Sequence, residues 1–177
     1  MALLVTATMA ATAFAAPAIN WSSLTTPAKP KMTAAAPTSS TASQPATAGS
    51  MSAEESKMID LVNQERTKAG LAPYTYDSSL RAAALSHSRD MSQNNFFSHT
   101  SPTKGTFSQR LAASGVKHTA AGENLALNGS VDKAHVSLMN SSGHRANIMS
   151  ATYTRIGIGI VYNQSKGAYY ITQWFAK

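Results

Sequence analysis

One stretch near the C-terminus leaves the backbone little choice. Ile156, Ile158, Ile160 and Tyr162 alternate with Gly157, Gly159 and Val161, a period of two that an extended strand sorts onto two faces. Gln164-Ser165-Lys166-Gly167 then interrupts the pattern, and Tyr169-Tyr170-Ile171-Thr172-Gln173-Trp174-Phe175 resumes it with strong β-formers. Two such runs about a short polar break predict a hairpin. A lone hairpin is marginal in water, so a third strand is expected, and residues 116–121 are the best candidate.

Upstream the period changes to that of a helix. Ser52-Ala53-Glu54-Glu55 reads as a capping box. The helix it opens carries Met58, Ile59, Leu61, Val62 and Ala69 on one face, and Gly70 and Pro73 end it. Asp77 caps a second helix, on which Leu80, Ala84, His87 and Met91 form one stripe. Thr106-Phe107-Ser108-Gln109 is a second capping box, and Gly115 closes its short helix. Ser130 caps a fourth helix, and Ser142 one further turn carrying Gly143, His144 and Arg145. Helices first and a hairpin last predict an α+β domain with helices on an antiparallel sheet.

Composition divides the 177 residues unevenly. Residues 1–15 are small and apolar and end in Ala13-Phe14-Ala15, which fits a signal-peptide cleavage site, although no Lys or Arg precedes Leu3. Residues 16–51 are expected to be a disordered linker. Between 22 and 50, 23 of 29 residues are Ser, Thr, Ala or Pro, too few large apolar groups to offset the entropy of ordering. The domain is assigned to residues 52–177. It holds 11 of the 13 aromatic residues, all five histidines and 13 basic residues against 8 acidic ones. Cysteine is absent, which excludes disulfides, thiolate metal sites and a cysteine nucleophile. No apolar run approaches the ~20 residues of a membrane-spanning helix. The basic residues are scattered rather than clustered, which speaks against nucleic acid as a partner.

There is no H-E-x-x-H, Walker A, G-x-S-x-G or strand-borne G-x-G-x-x-G motif. Any site must be assembled from distant segments. His99 follows Phe96-Phe97 in a loop and reads either as surface or as a ring held out by anchored aromatics. Glu123 is the one acid between Asp90 and Asp132, set in Ala121-Gly122-Glu123-Asn124-Leu125-Ala126. Its small and apolar neighbours predict a buried carboxylate that needs a partner, whether backbone amides or a functional group. His144 stands at a helix start behind Gly143, where a neutral, ligand-capable imidazole is favoured. His87 lies on the apolar stripe and is expected to be structural. His118 and His135 read as surface residues. Arg145 could bind an anion, pair with Glu123 or cap a helix end.

Seven segments together resemble the CAP superfamily (cysteine-rich secretory proteins, antigen 5 and pathogenesis-related proteins), most closely its bacterial SCP-like extracellular branch. They are Leu61-Val62-Asn63-Gln64-Glu65-Arg66, His87-Ser88-Arg89-Asp90-Met91, Phe97-Ser98-His99-Thr100-Ser101-Pro102, Gly122-Glu123-Asn124-Leu125-Ala126, the run from Met139 to Ile148 with Ser142-Gly143-His144-Arg145 at its centre, Ile156-Gly157-Ile158-Gly159 and Thr172-Gln173-Trp174-Phe175-Ala176. The resemblance implies a three-layer α-β-α sandwich with a small antiparallel sheet. It also implies a cleft of His99, Glu123 and His144, with His99 and His144 able to hold zinc or another divalent cation. Ser141 stands where many members have a second glutamate, which weakens any mechanism that needs paired carboxylates. His87, Asn124 and Arg145 are expected to support the site.

Two functions compete. The first is a secreted, non-catalytic binding module that engages anionic cell-wall polymers or a small apolar ligand such as a lipid, drawn by positive charge. The second is a metal-dependent peptidase or esterase with Glu123 as the candidate catalytic base. Nucleophilic catalysis by Ser141 or Ser142 lacks an accompanying oxyanion-hole motif.

Overall fold

The computed structural model describes residues 50–177; the expected signal peptide and all but the last residues of the expected linker lie outside the described residues. Helix α1 spans Ala53–Lys68, β1 Thr75–Tyr76, α2 Ser78–Gln93 and α3 Phe107–Ser114. Strand β2 spans Ala121–Asn128, α4 Val131–Asn140, α5 Ser142–Ile148, β3 Arg155–Asn163 and β4 Ala168–Ala176.

The helix boundaries follow local chemistry. Both capping boxes form, Ser52 with Glu55 and Thr106 with Gln109, so each helix start has two otherwise orphaned N–H groups satisfied. Asp77 accepts from the Ser79 and Leu80 amides, and Ser130 accepts from Lys133. Gly115 ends α3 at φ 69°, a left-handed conformation that costs glycine little. Helix α5 departs from expectation: its N-cap is Ser141 rather than Ser142, and no side-chain cap bond is made. Ala69, placed on the buried face of α1 by its spacing, is the exposed C-cap residue instead.

The sheet order is β1-β3-β4-β2. The β3–β4 hairpin and the β4–β2 pair are antiparallel, whereas the two-residue β1 runs parallel to β3, so the sheet is mixed. The third long strand is not residues 116–121 but Ala121–Asn128, paired with β4 from Ala121 opposite Ala176 to Asn128 opposite Tyr169. Its sequence, AGENLALN, has no β-branched or aromatic residue, so propensity does not mark it. Burial does: Gly122 through Ala126 are all buried, and tertiary pairing overrides the weak local preference. Glu123 therefore stands in a strand rather than in a glycine-led turn.

Helices cover both faces, which makes the three α-β-α layers. On one face Met58, Val62, Leu138 and Ile148 meet Ile156, Ile158, Ile171 and Phe175. On the other, Leu80, Ala84 and Leu111 meet Trp174. The Ile/Gly alternation of β3 produces this asymmetry. The isoleucines face α1 and α4, while the glycine face lets α2 lie directly on the strand. A Cβ at Gly157 would come within 2.1 Å of the Arg81 nitrogen, and one at Gly159 within 2.1 Å of the Leu85 nitrogen. Fully burying a side chain such as Ile158 contributes about 1.5–3 kcal/mol, so the alternation serves packing on one face and close approach on the other.

Candidate functional site

The site is built from β2 outward. Glu123 lies opposite Trp174 in the β2–β4 register, so both side chains emerge on the α2–α3 face. The Trp174 indole Nε1–H donates to Glu123 Oε2 at 2.8 Å. Arg110 of α3 adds a bidentate grip, Nη1 to Oε2 at 2.8 Å and Nη2 to Oε1 at 3.0 Å. His99 Nδ1 completes the set at 2.8 Å from Oε1. Four donors thus converge on a side chain that is 2% exposed, which matches the acceptor capacity of an ionised carboxylate. Burial works to raise the Glu123 pKa, but Arg110, His99 and Trp174 together hold it below the usual carboxylate value.

This arrangement sets the chemistry of His99. An ionised carboxylate only accepts, so Nδ1 carries the proton and Nε2 is the outward nitrogen. Arg110 Nη2 also donates to the His99 carbonyl at 2.7 Å, which fixes the loop as well as the ring. The His99 side chain stays 57% exposed. One end of the network is sealed and the other faces solvent.

His144 arrives from the opposite layer, around the free edge of β2. Asn124 Nδ2 donates to the His144 carbonyl at 3.0 Å and to Gln173 Oε1 at 3.0 Å, and Asn147 Nδ2 donates to Asn124 Oδ1 at 2.8 Å. Asn124 therefore anchors the backbone of α5 to the sheet. The ring of His144 is half-buried, and its pKa is lowered by burial and then by the nearby charge of His99. Both effects favour the neutral imidazole. Ser141 sits half-buried at the α4–α5 junction, where its carbonyl accepts from the Arg145 amide at 2.8 Å.

His87 is 1% exposed on the α2 stripe with Leu80, Ala84 and Met91. Its Nε2 donates to the Ser98 carbonyl at 3.0 Å, so it supports the loop that carries His99. Two other expectations fail. His135 is buried, 6% exposed, because it follows Ala134 and precedes Leu138 on the inward side of α4. Arg145 is exposed on α5 and is not the partner of Glu123. That partner is Arg110, which the motif search passed over. The signal was present: Arg110 falls with Phe107 and Leu111 at helical spacing, a charge on an otherwise apolar stripe.

Among the described residues no three His, Asp or Glu side chains form a metal-binding cluster. Glu123 does not fit as a ligand, because both oxygens are engaged. The outward Nε2 of His99 and a neutral His144 do fit a divalent cation as two imidazole donors, with a carboxylate behind one of them in the manner of metal-bound histidines.

Comparison with known proteins places the chain in a family. The family described as CAP, cysteine-rich secretory protein family, matches residues 59–175, and the chain belongs to it. Among curated proteins it is 40% identical over 129 residues to the uncharacterized protein YkwD of Bacillus subtilis, covering 72% of this chain and 49% of that one. It is 39% identical over 107 residues to the uncharacterized membrane protein YlbC of the same organism, covering 60% and 31%. The chain thus spans about half or less of the length of the curated relatives it matches. Among solved structures, an extracellular SCP-domain protein of Bacillus anthracis is 34% identical with a TM-score of 0.63, covering 70% of this chain and 40% of that one. An outer surface protein of Borrelia burgdorferi shares the fold at 18% identity and a TM-score of 0.65, over 70% and 92% of the two chains.

Proposed function

We propose that this CAP domain is an extracellular, non-catalytic binding module whose recognition site is the cleft of His99 and His144 at the edge of β2. The observation that carries this reading is the saturation of Glu123. A carboxylate with four bound donors is a poor base and a poor ligand, but it is well suited to holding an imidazole in one tautomer. The same observation disfavours the metal-dependent hydrolase reading, which needs Glu123 to take a proton from water. The extracellular assignment draws on the Bacillus anthracis relative, an extracellular protein containing an SCP domain.

The binding partner is an anionic cell-wall polymer. The chain carries a formal net charge of +7, and such a charge attracts polyanions over about a Debye length, ~8–10 Å at moderate salt. When bound across His99 and His144, a zinc or similar ion would supply a further point of attachment for phosphate or carboxylate groups. His99 and His144 would hold it, and Glu123 would orient His99.

Retention on purified cell walls, with and without their anionic polymers, tests the proposal. Expected is salt-sensitive retention that falls when the polymers are stripped and in the His99→Ala and His144→Ala variants. Equal retention on stripped walls would remove the polymer reading. A peptidase and esterase screen with and without chelator covers the alternative; chelator-sensitive turnover lost in His144→Ala would replace binding with hydrolysis.

A further inference from the structure

A groove of about 620 Å³ runs between α2 and α3, within the range of about 300–1,000 Å³ common to small-molecule sites. It lies behind the Glu123 network rather than in the His99–His144 cleft. Its walls are small side chains, among them Ala82 and Ala83 of α2 and Ala113 and Ser114 of α3. His87, Arg110 and Trp174, all buried, line its inner part, and the exposed Lys104 lines its rim. No carboxylate lines it. Arg110 and Trp174 act as a party wall, because their Nη and Nε1 hydrogens are directed to Glu123.

Two buried atoms of this lining have no protein partner, His87 Nδ1 and Arg110 Nε. They are opposite in kind. The Ser98 carbonyl can only accept, so His87 Nε2 carries the proton and Nδ1 is an acceptor without a donor. Burial, then the charge of Arg110, lowers the His87 pKa, which agrees with a neutral ring. Arg110 Nε is a donor without an acceptor, its Nη atoms being engaged by Glu123 and the His99 carbonyl. Each atom carries a desolvation penalty that no protein group offsets.

We propose that the α2–α3 groove binds an uncharged small molecule with an apolar body and a hydroxyl head, the hydroxyl donating to His87 Nδ1 and accepting from Arg110 Nε. A hydroxyl is the smallest group that does both. A carboxylate lacks the proton for His87, and an ammonium lacks the lone pair for Arg110. The alanine walls take the apolar body. This site is separate from the proposed recognition cleft and does not depend on what that cleft binds.

Calorimetry on the full chain with 2-naphthol, 2-methoxynaphthalene and 2-naphthoate tests the match. The three share one apolar body; the first donates and accepts, the second only accepts, and the third is an anion. Expected is binding of 2-naphthol about tenfold tighter than of either analogue, the scale of one well-made buried hydrogen bond. Amide shifts should change over residues 79–87 and 104–114. Ala113→Leu, at an exposed position of the wall, should abolish binding without moving Tm, and His99→Ala should leave it intact. Equal affinity for all three probes, no saturable binding, or shifts mapping to another surface would overturn the proposal. Should Ala113→Leu fail to fold, the shift map and the probe ranking still decide.

Discussion

The domain contains two buried Glu–Arg pairs that differ in where they lead. Glu55 and Arg81 meet at 2.8 Å with side chains 1% and 4% exposed. The remaining Glu55 bonds go to the Ser52 amide at 2.9 Å and the Ile160 amide at 3.3 Å, so the pair ties α1, α2 and β3 together and ends there. Glu123 and Arg110 are equally buried, at 2% and 5%, yet their network ends on His99, whose side chain is 57% exposed. The same pair of residue types is a rivet in one place and a mount in the other. What separates them is whether the last partner is backbone or an exposed titratable ring, which burial alone does not reveal.

The largest expected effect treats the two pairs alike. Arg110→Met and Arg81→Met each leave a buried carboxylate without its cation, and each should cost about 3–5 kcal/mol in urea unfolding. A cost below about 1 kcal/mol for Arg110→Met, the range of exposed pairs, would show that Glu123 is not held as described.

Glu123→Gln and Glu55→Gln should then part the two. Both preserve shape, but only the first removes the anion behind His99. Zinc affinity measured by calorimetry should fall about 10–100-fold in Glu123→Gln, the usual effect of losing the carboxylate behind a histidine ligand. In Glu55→Gln it should be unchanged. Equal loss in both variants would mean that stability, not orientation of the ring, controls the cleft.

His87→Ala sharpens the boundary between mount and core. Loss of the bond to Ser98 and of buried packing should cost about 1–3 kcal/mol. Retained zinc binding at a temperature below the lowered Tm would keep His87 structural; an unchanged Tm with lost zinc binding would move it into the site.

The smallest effects are those of pH. His87, His135 and His144 all have pKa values lowered from 6.5, each with burial as the first cause. The unfolded chain then binds more protons than the folded one just below 6.5, so stability is full above that value and declines as pH falls through the folded pKa values. Glu123 is likewise lowered from 4.5, and its contribution is lost at more acid pH still. Melting curves should therefore show a shallow fall below pH 6.5 and a second in acid, the latter reduced in Glu123→Gln. A stability that rises on acidification through 6.5 would reverse the assigned histidine states.

Local chemistry alone placed most of the helices. Capping boxes, an Asp cap and a left-handed glycine act over three or four residues, so Ser52, Thr106, Asp77 and Gly115 could be read directly. The β3–β4 hairpin was legible for the same reason, since its alternation and turn are contiguous. The family motifs named His99, Glu123 and His144, but their three segments have no local periodicity that joins them. Tertiary structure decided the rest. Strand β2 carries no β-branched residue and exists because β4 offers it a partner and the core buries it. Arg110 became the counter-ion of Glu123, in place of Arg145, because α3 lies on the same sheet face as Glu123 and Trp174. A hydrogen-bond partner 13 residues away is chosen by which face of a strand and which side of a helix meet, and that follows from packing, not from the order of residues along the chain.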